Sequence, residues 1–258
     1  MTRLDRRALF ASGAAAALLA ATGVSAAPKR GGRLRAALSA DLFDLAISST
    51  VYDNLTEIGA DGTLRGALAT GWTSNQDARI WQFSLRDDVL FHDGAAFDAS
   101  HVHLPFDVRV LDARRLQITL DAPNPNLPYL LAHPGYEQRS DTGMGTGIYQ
   151  VQKLEPGRHF IGTRVAEHWK SAHAGWFDSI EFVHFSDAAI RAEALRDAMV
   201  DVADITELDA YADPRDYLLL PDGQTVTHIA SQSIAVPVTV GKAWPLDNLR
   251  MAERWWIA

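Results

Sequence analysis

The chain has 258 residues, 47% of them hydrophobic and 22% charged, the composition of a globular protein able to bury a core, which excludes disorder over most of its length. Its formal net charge is −8, and no Lys/Arg cluster follows Arg35, so nucleic acid and anionic membrane surfaces are poor partners. Cysteine is absent, which excludes disulfides, thiolate zinc sites and a lipid-bearing cysteine anchor.

Residues 1–26 have the three parts of a secretory signal: basic Arg3, Arg6 and Arg7, an Ala/Leu-rich run from Ala8 to Ala21, and small residues at Val24-Ser25-Ala26. The run is too short and too rich in alanine for a retained membrane anchor. Arg6-Arg7 before Leu9-Phe10 resembles a twin-arginine signal, with a plain Sec signal as the alternative. Cleavage near Ala26 removes three Arg and one Asp, net +2, and takes the chain from −8 to −10. Residues 27–258 carry no linker or internal repeat and are expected to form one compact unit.

Arg33 to Leu38 reads as a first strand and Ser48 to Leu55 as a short helix. Asp61-Gly62 marks a turn between short extended pieces. Arg79 to Arg86 alternates, with Trp81, Phe83 and Leu85 on one face, as a half-buried strand does. Val108–Val110 and Leu116–Leu120 form a hairpin around Asp112-Ala113-Arg114, and a second runs Ile148–Leu154, turns at Pro156-Gly157 and returns through His159 to Val165. Ile180 to Phe185 is apolar on both faces, as in a strand covered by helices on each side. Asp187 can cap a helix from Ala188 to about Met199, and Val202–Ile205 is a further strand, a succession that suggests a parallel pair joined by a right-handed crossover. Gln224–Ala230 and Ile234–Val240 are extended, and Leu246–Ile257 reads as a helix after Pro245. Trp72, Trp81, Trp169 and Trp176 fall in or beside strand patterns and are expected in the core.

Several blocks, ordered along the chain, carry a resemblance. They are Gly31-Gly32-Arg33-Leu34-Arg35, Val51-Tyr52-Asp53-Asn54-Leu55, Leu68-Ala69-Thr70-Gly71-Trp72, the run Trp81 to Gly94, Phe97-Asp98-Ala99 with Val102, Gly145-Thr146-Gly147-Ile148-Tyr149, His168-Trp169, and Pro245 to Arg250. Together they resemble the family 5 extracellular solute-binding proteins, the dipeptide, oligopeptide and nickel receptors of ABC importers. The resemblance implies an α/β fold, a single lobe of the type II periplasmic binding protein kind, with a mixed sheet and helices on both faces. It also implies a periplasmic protein that captures a peptide-like or other small solute and works with an ABC transporter permease. Longer members continue into a second lobe, so the chain reads as a short form lacking it. They also carry a helical subdomain where this chain passes directly from Val102 to Phe106. Isoleucine at 148 replaces the family's proline, and His168 replaces its tyrosine.

By the same resemblance, ligand contacts are expected from Ser39, Asp41 and Phe43 after the first strand, from Tyr52 and Asn54, from Tyr129, and from Met144, Gly145 and Thr146. Each has a plainer use as core or cap, Tyr52 in packing and Asn54 in local hydrogen bonding. His92-Asp93-Gly94 is read as a tight turn. A metal site from His92, Asp93, His101 and His103 suited to nickel, copper or zinc is the alternative to exposed loop histidines. No metal is assigned, because such a site needs a three-dimensional coincidence that the sequence does not show, and no cofactor is assigned: Gly143-Met144-Gly145-Thr146-Gly147 precedes a strand and does not open a helix, unlike a dinucleotide fingerprint. No catalytic residue is assigned either: Gly-x-Ser-x-Gly, His-Glu-x-x-His and phosphate-loop signatures are absent, so the expected role is capture without chemistry. Trp255 and Trp256 on a terminal amphipathic helix raise two further expectations, self-association or a protein partner through that helix, and an accessory interaction protein built on the lobe.

Overall fold

The computed structural model describes residues 30–59, 63–172, 174–205, 217–221 and 227–231, the last two segments as backbone only. The expected export signal, the Asp61-Gly62 turn, the Ile234–Val240 stretch and the terminal helix with Trp255 and Trp256 lie outside these residues.

In chain order the elements are β1 (Arg33–Leu38), α1 (Ala40–Val51), β2 (Thr56–Ile58), β3 (Leu64–Gly66), β4 (Ala69–Ser74), β5 (Ile80–Leu85), β6 (Asp107–Asp112), β7 (Arg115–Thr119), α2 (Leu127–Leu130), β8 (Tyr149–Glu155), β9 (His159–Arg164), β10 (Ser179–His184), α3 (Ala188–Arg196), β11 (Val202–Ile205), β12 (Tyr217–Pro221) and β13 (Thr227–Ser231). A seven-stranded mixed sheet has the order β12-β13-β11-β1-β10-β9-β8, and β4-β5-β7-β6 form an antiparallel sheet of four. β2 and β3 make a separate hairpin.

β1 organises the large sheet. It runs parallel to β10 on one side, with Leu34 opposite Ile180 and Ala36 opposite Phe182, and parallel to β11 on the other, with Ala36 opposite Val202. The expected parallel relation of β10 and β11 therefore holds, but the two are not neighbours. Side chains alternate across a strand, so β1 feeds two cores. Leu34, Ala36 and Leu38 pack with Phe43, Ala46 and Val51 of α1 and with Phe160, Ile180 and Phe182. Ala37 faces the opposite way, into Ala194 and Leu195 of α3, Val200, Ala203 and Ile205. A helix thus covers each face, as the fold class requires. The third core lies under the four-stranded sheet, where β5 buries Trp81, Phe83 and Leu85 and β7 buries Leu116 and Ile118. Trp72 and Trp169 are partly buried against it, and Trp176 is half-buried elsewhere.

The first helix is the main correction to the local reading. It spans Ala40–Val51, and Tyr52 is already extended (φ −124°, ψ 152°), so the Ser48–Leu55 helix is displaced by about two turns. Ser39, itself extended (φ −67°, ψ 167°), ends β1 and opens the helix at once. The apolar stripe is weak because one of its buried positions is Thr50, whose hydroxyl donates back to the Ala46 carbonyl at 2.8 Å. Asp187 caps α3 as expected, accepting from the Ala189 N–H at 2.8 Å. The helix stops at Arg196 and not near Met199, because Ala198 takes a left-handed conformation (φ 56°).

Candidate functional site

The expected ligand residues fall into groups at the two ends of α1, about 18 Å apart at 1.5 Å per residue. Ser39, Asp41 and Phe43 lie at its start, beside the carboxyl ends of β1, β10 and β11. Ser39 makes no side-chain cap, and its N–H donates to Asp204 Oδ1 at 2.9 Å. Asp41 is exposed in the first turn. The Phe43 ring is 1% exposed, in the core, 6.1 Å from the ring of His184, so at this position only the backbone remains for a ligand. His184 holds the Gly157 carbonyl through Nδ1 at 2.8 Å, and its buried Nε2 has no hydrogen-bond partner among the described residues.

At the other end the chain brings together Tyr52, Asn54, Met144, Gly145 and Thr146, and with them a buried ionic cluster. Asp53 follows the helix in extended conformation, paired across a bridge with Gln138. Lys170 Nζ lies 2.9 Å from Asp53 Oδ1 and 2.7 Å from Glu57 Oε2. The Thr146 hydroxyl donates to Asp53 Oδ2 at 3.0 Å, and His168 Nε2 is 3.5 Å from the same oxygen. Burial opposes ionisation of both Asp53 and Lys170. The Lys170 ammonium, with His168, nevertheless holds Asp53 well below the usual carboxylate range, and the two carboxylates raise Lys170 above the usual lysine range.

Two imidazoles pin the glycine-rich segment to this cluster. His168 Nε2 donates to the Thr146 carbonyl at 2.9 Å, while its Nδ1 accepts the Lys170 N–H at 3.0 Å, so both ring nitrogens are held by backbone. His92 Nε2 donates to the Gly147 carbonyl at 2.7 Å, and the His92 N–H to the Gly145 carbonyl at 2.9 Å. Burial pushes the His92 imidazole down, against the opposing pull of that Gly147 carbonyl. A Cβ on Gly145 would lie 1.9 Å from the Val51 carbonyl oxygen, so the loop reaches the helix end only as glycine. Thr146 and the two glycines are therefore consumed by the fold. Met144 remains 41% exposed, and Tyr52 lies under the Arg139 guanidinium at 4.1 Å. A cleft of about 60 Å³ opens here, lined in part by Ser49, Tyr52, Asp53, Glu57, Glu137 and Lys170. Tyr129, on α2, stands apart and is 48% exposed.

The histidines of the alternative metal set point to different partners. His92 is committed to Gly147, His101 Nδ1 lies 3.0 Å from Asp98 Oδ1 within its own capping box, and exposed His103 sits 3.6 Å from Asp141. Among the described residues no group of three His, Asp or Glu is placed to hold a metal. Asp53, Glu57, His168 and Lys170 form a unit that local sequence pattern does not reveal. Val51, Asp53 and Leu55 occupy alternate positions, and an acid between two apolar residues on one side was the available signal. Lys170 is 117 positions away from Asp53, which local pattern cannot supply.

Comparison with known proteins agrees with this architecture. Residues 63–107 match the family described as bacterial extracellular solute-binding proteins, family 5 Middle. The nickel-binding periplasmic protein of Escherichia coli (strain K12) is 29% identical over 188 residues, covering 60% of this chain and 36% of that protein. The glutathione-binding protein GsiB of Salmonella paratyphi A is 26% identical over 248 residues, covering 83% of this chain and 47% of that protein. The chain thus spans less than half the length of these relatives. Among solved structures, the periplasmic binding protein DppA from Helicobacter pylori in complex with peptide STSA superposes with a TM-score of 0.66 at 17% identity, over 74% of this chain and 51% of that one. NikZ from Campylobacter jejuni in complex with Ni(L-His) gives 0.63 at 21% identity, over 74% and 47%. Taken with the parallel β10-β1-β11 core flanked by a helix on each face, these matches show a chain similar to the family 5 bacterial extracellular solute-binding proteins, with the fold of periplasmic binding proteins.

Proposed function

We propose that this chain supplies a solute-binding lobe of an ABC-importer receptor, working in the periplasm after export by its N-terminal leader, and that it captures a peptide-like or other small solute without breaking a bond. The observation that carries this reading is the topology around β1. The chain leaves β1 into α1 on one face of the sheet and leaves the adjacent β10 into α3 on the other. Such a reversal opens a crevice at the carboxyl ends of the two strands, where open α/β sheets bind their ligands. Ser39, with a hydroxyl not used in capping, Asp41 and the first-turn amides of α1 border that crevice. Short polar groups of this kind suit the ends of a peptide or an amino-acid-like solute. The similar proteins support the class, one being a nickel-binding and another a glutathione-binding protein. The residues at the other end of α1 are held by the fold and support the lobe.

A thermal-shift screen against di- and tripeptides, glutathione, nickel(II) and nickel(II) with histidine tests the proposal. A solute at 100 times its Kd adds about 2.7 kcal/mol to stability, so one class is expected to raise the midpoint. A flat response to all classes at millimolar concentration, with a protein partner captured from periplasmic extract, would favour the accessory role instead.

A further inference from the structure

We propose that Arg191 and Asp204 are positioning residues for the crevice at the carboxyl ends of β1, β10 and β11, a buried ion pair that fixes where the opening turn of α1 and the loop after β10 lie. This rests on the reading that solute binds at that edge.

The two side chains are nearly inaccessible, Arg191 at 4% and Asp204 at 2%. Arg191 projects from α3, and its Nε donates to the Asp204 carbonyl at 2.7 Å and lies 2.8 Å from Asp204 Oδ1. Its second donor group spans the loop after β10, reaching the carbonyls of Phe185 at 2.5 Å and Ser186 at 3.1 Å. The Asp204 oxygen that meets Arg191 also accepts the Ser39 N–H at 2.9 Å. The Phe185 N–H closes the set by donating to the Leu38 carbonyl at 3.0 Å. One guanidinium and one carboxylate therefore tie the ends of all three parallel strands, and with them the residues that border the crevice.

A buried ion pair is a poor choice for stability alone, because apolar residues of similar volume commonly serve as well once desolvation is counted. What an apolar pair cannot do is accept a backbone N–H and donate to three carbonyls at fixed angles. The surroundings sharpen this contrast. Ala37, Ala194, Leu195, Val200, Ala203 and Ile205 pack around the same α3 face and already supply the apolar contact. The polar pair is placed where geometry, and not burial, is at stake.

The test is residue-resolved amide hydrogen exchange on the solute-free protein, comparing the native sequence, the double variant Arg191→Met/Asp204→Leu, and Asp204→Asn. The readout is the amides of Phe43 and Phe185, which neither side chain bonds. In the double variant these amides are expected to exchange at least about ten-fold faster. Phe83 and Ile118 in the other sheet are expected to keep their protection, and the thermal midpoint to stay within a few degrees. Native protection at Phe43 and Phe185, or a uniform rise that includes Phe83 and Ile118, would overturn the proposal. If the double variant does not fold, Asp204→Asn decides: it keeps an acceptor for Ser39 but removes the charge facing Arg191. Faster exchange at Phe185 is then expected, and exchange equal to native overturns the proposal. No solute enters the experiment, so its outcome is separate from the success or failure of the solute screen.

Discussion

Lys170 illustrates how much of the fold can rest on one buried side chain. Its ammonium is shared by Asp53 and Glu57 in a setting where it is 7% exposed and Asp53 is 5% exposed. Removing the cation leaves two carboxylates facing each other without compensation, so Lys170→Met is expected to cost about 3–5 kcal/mol, read from the midpoint of urea unfolding. A loss below about 1 kcal/mol would show that water reaches the carboxylates. His92 gives a pH signature. Burial makes the folded protein release the His92 proton more readily than the unfolded chain does. Between the two pKa values the unfolded chain therefore binds more protons, and stability rises with pH. The contribution is intact above the ordinary imidazole value of about 6.5 and declines as pH falls below it. His92→Gln keeps a donor for the Gly147 carbonyl and cannot titrate, so it is expected to lose less stability than the native protein between pH 7 and pH 5. Parallel curves for the two proteins would contradict the assignment.

Among elements, the segment from Ser140 to Gly147 owes its course to close backbone approach. Gly145→Ala would drive a Cβ into the Val51 carbonyl at 1.9 Å and is expected to cost about 3 kcal/mol, measured by denaturant unfolding. Ala198, left-handed after α3 with no glycine to ease it, offers the opposite case. Ala198→Gly is expected to raise stability by about 1 kcal/mol, read as an increase in the thermal midpoint. The outermost strands β4, β6 and β8 each carry a register shift, at Ala69/Gly71, Val110/Asp112 and Val151/Lys153. Such bulges twist an open edge away from pairing with other chains. The elements also show what a sequence makes legible. Ile80–Leu85 could be read because strict alternation buried Trp81, Phe83 and Leu85, and both long hairpins because their turn residues are local. α1 was misplaced because its stripe includes a threonine that bonds to its own helix. β12, Tyr-Leu-Leu-Leu-Pro, has no alternation to mark it as a strand. The insertion of β1 between β10 and β11 depends on partners more than 140 positions away.

At the scale of the whole molecule, a sheet whose central strands are parallel presents one edge where helices depart to opposite faces, and a second sheet is joined to it through the segments around Asp53 and Lys170. Among the described residues no helix is long and apolar enough to cross a membrane. Of the residues expected to touch a ligand, the structure leaves Ser39 and Asp41 at the edge and commits Gly145 and Thr146 to internal contacts. The family resemblance puts all of them forward, but local pattern does not separate the two ends of a helix that it misplaces. Under the proposed function, solute binds at the start of α1 and not at its end. Amide exchange with and without a saturating solute from the thermal-shift screen tests it most directly. Protection confined to Ser39–Phe43 and Phe185–Asp187 is the predicted result, and protection centred on Tyr52–Glu57 and Ser140–Thr146 would contradict it.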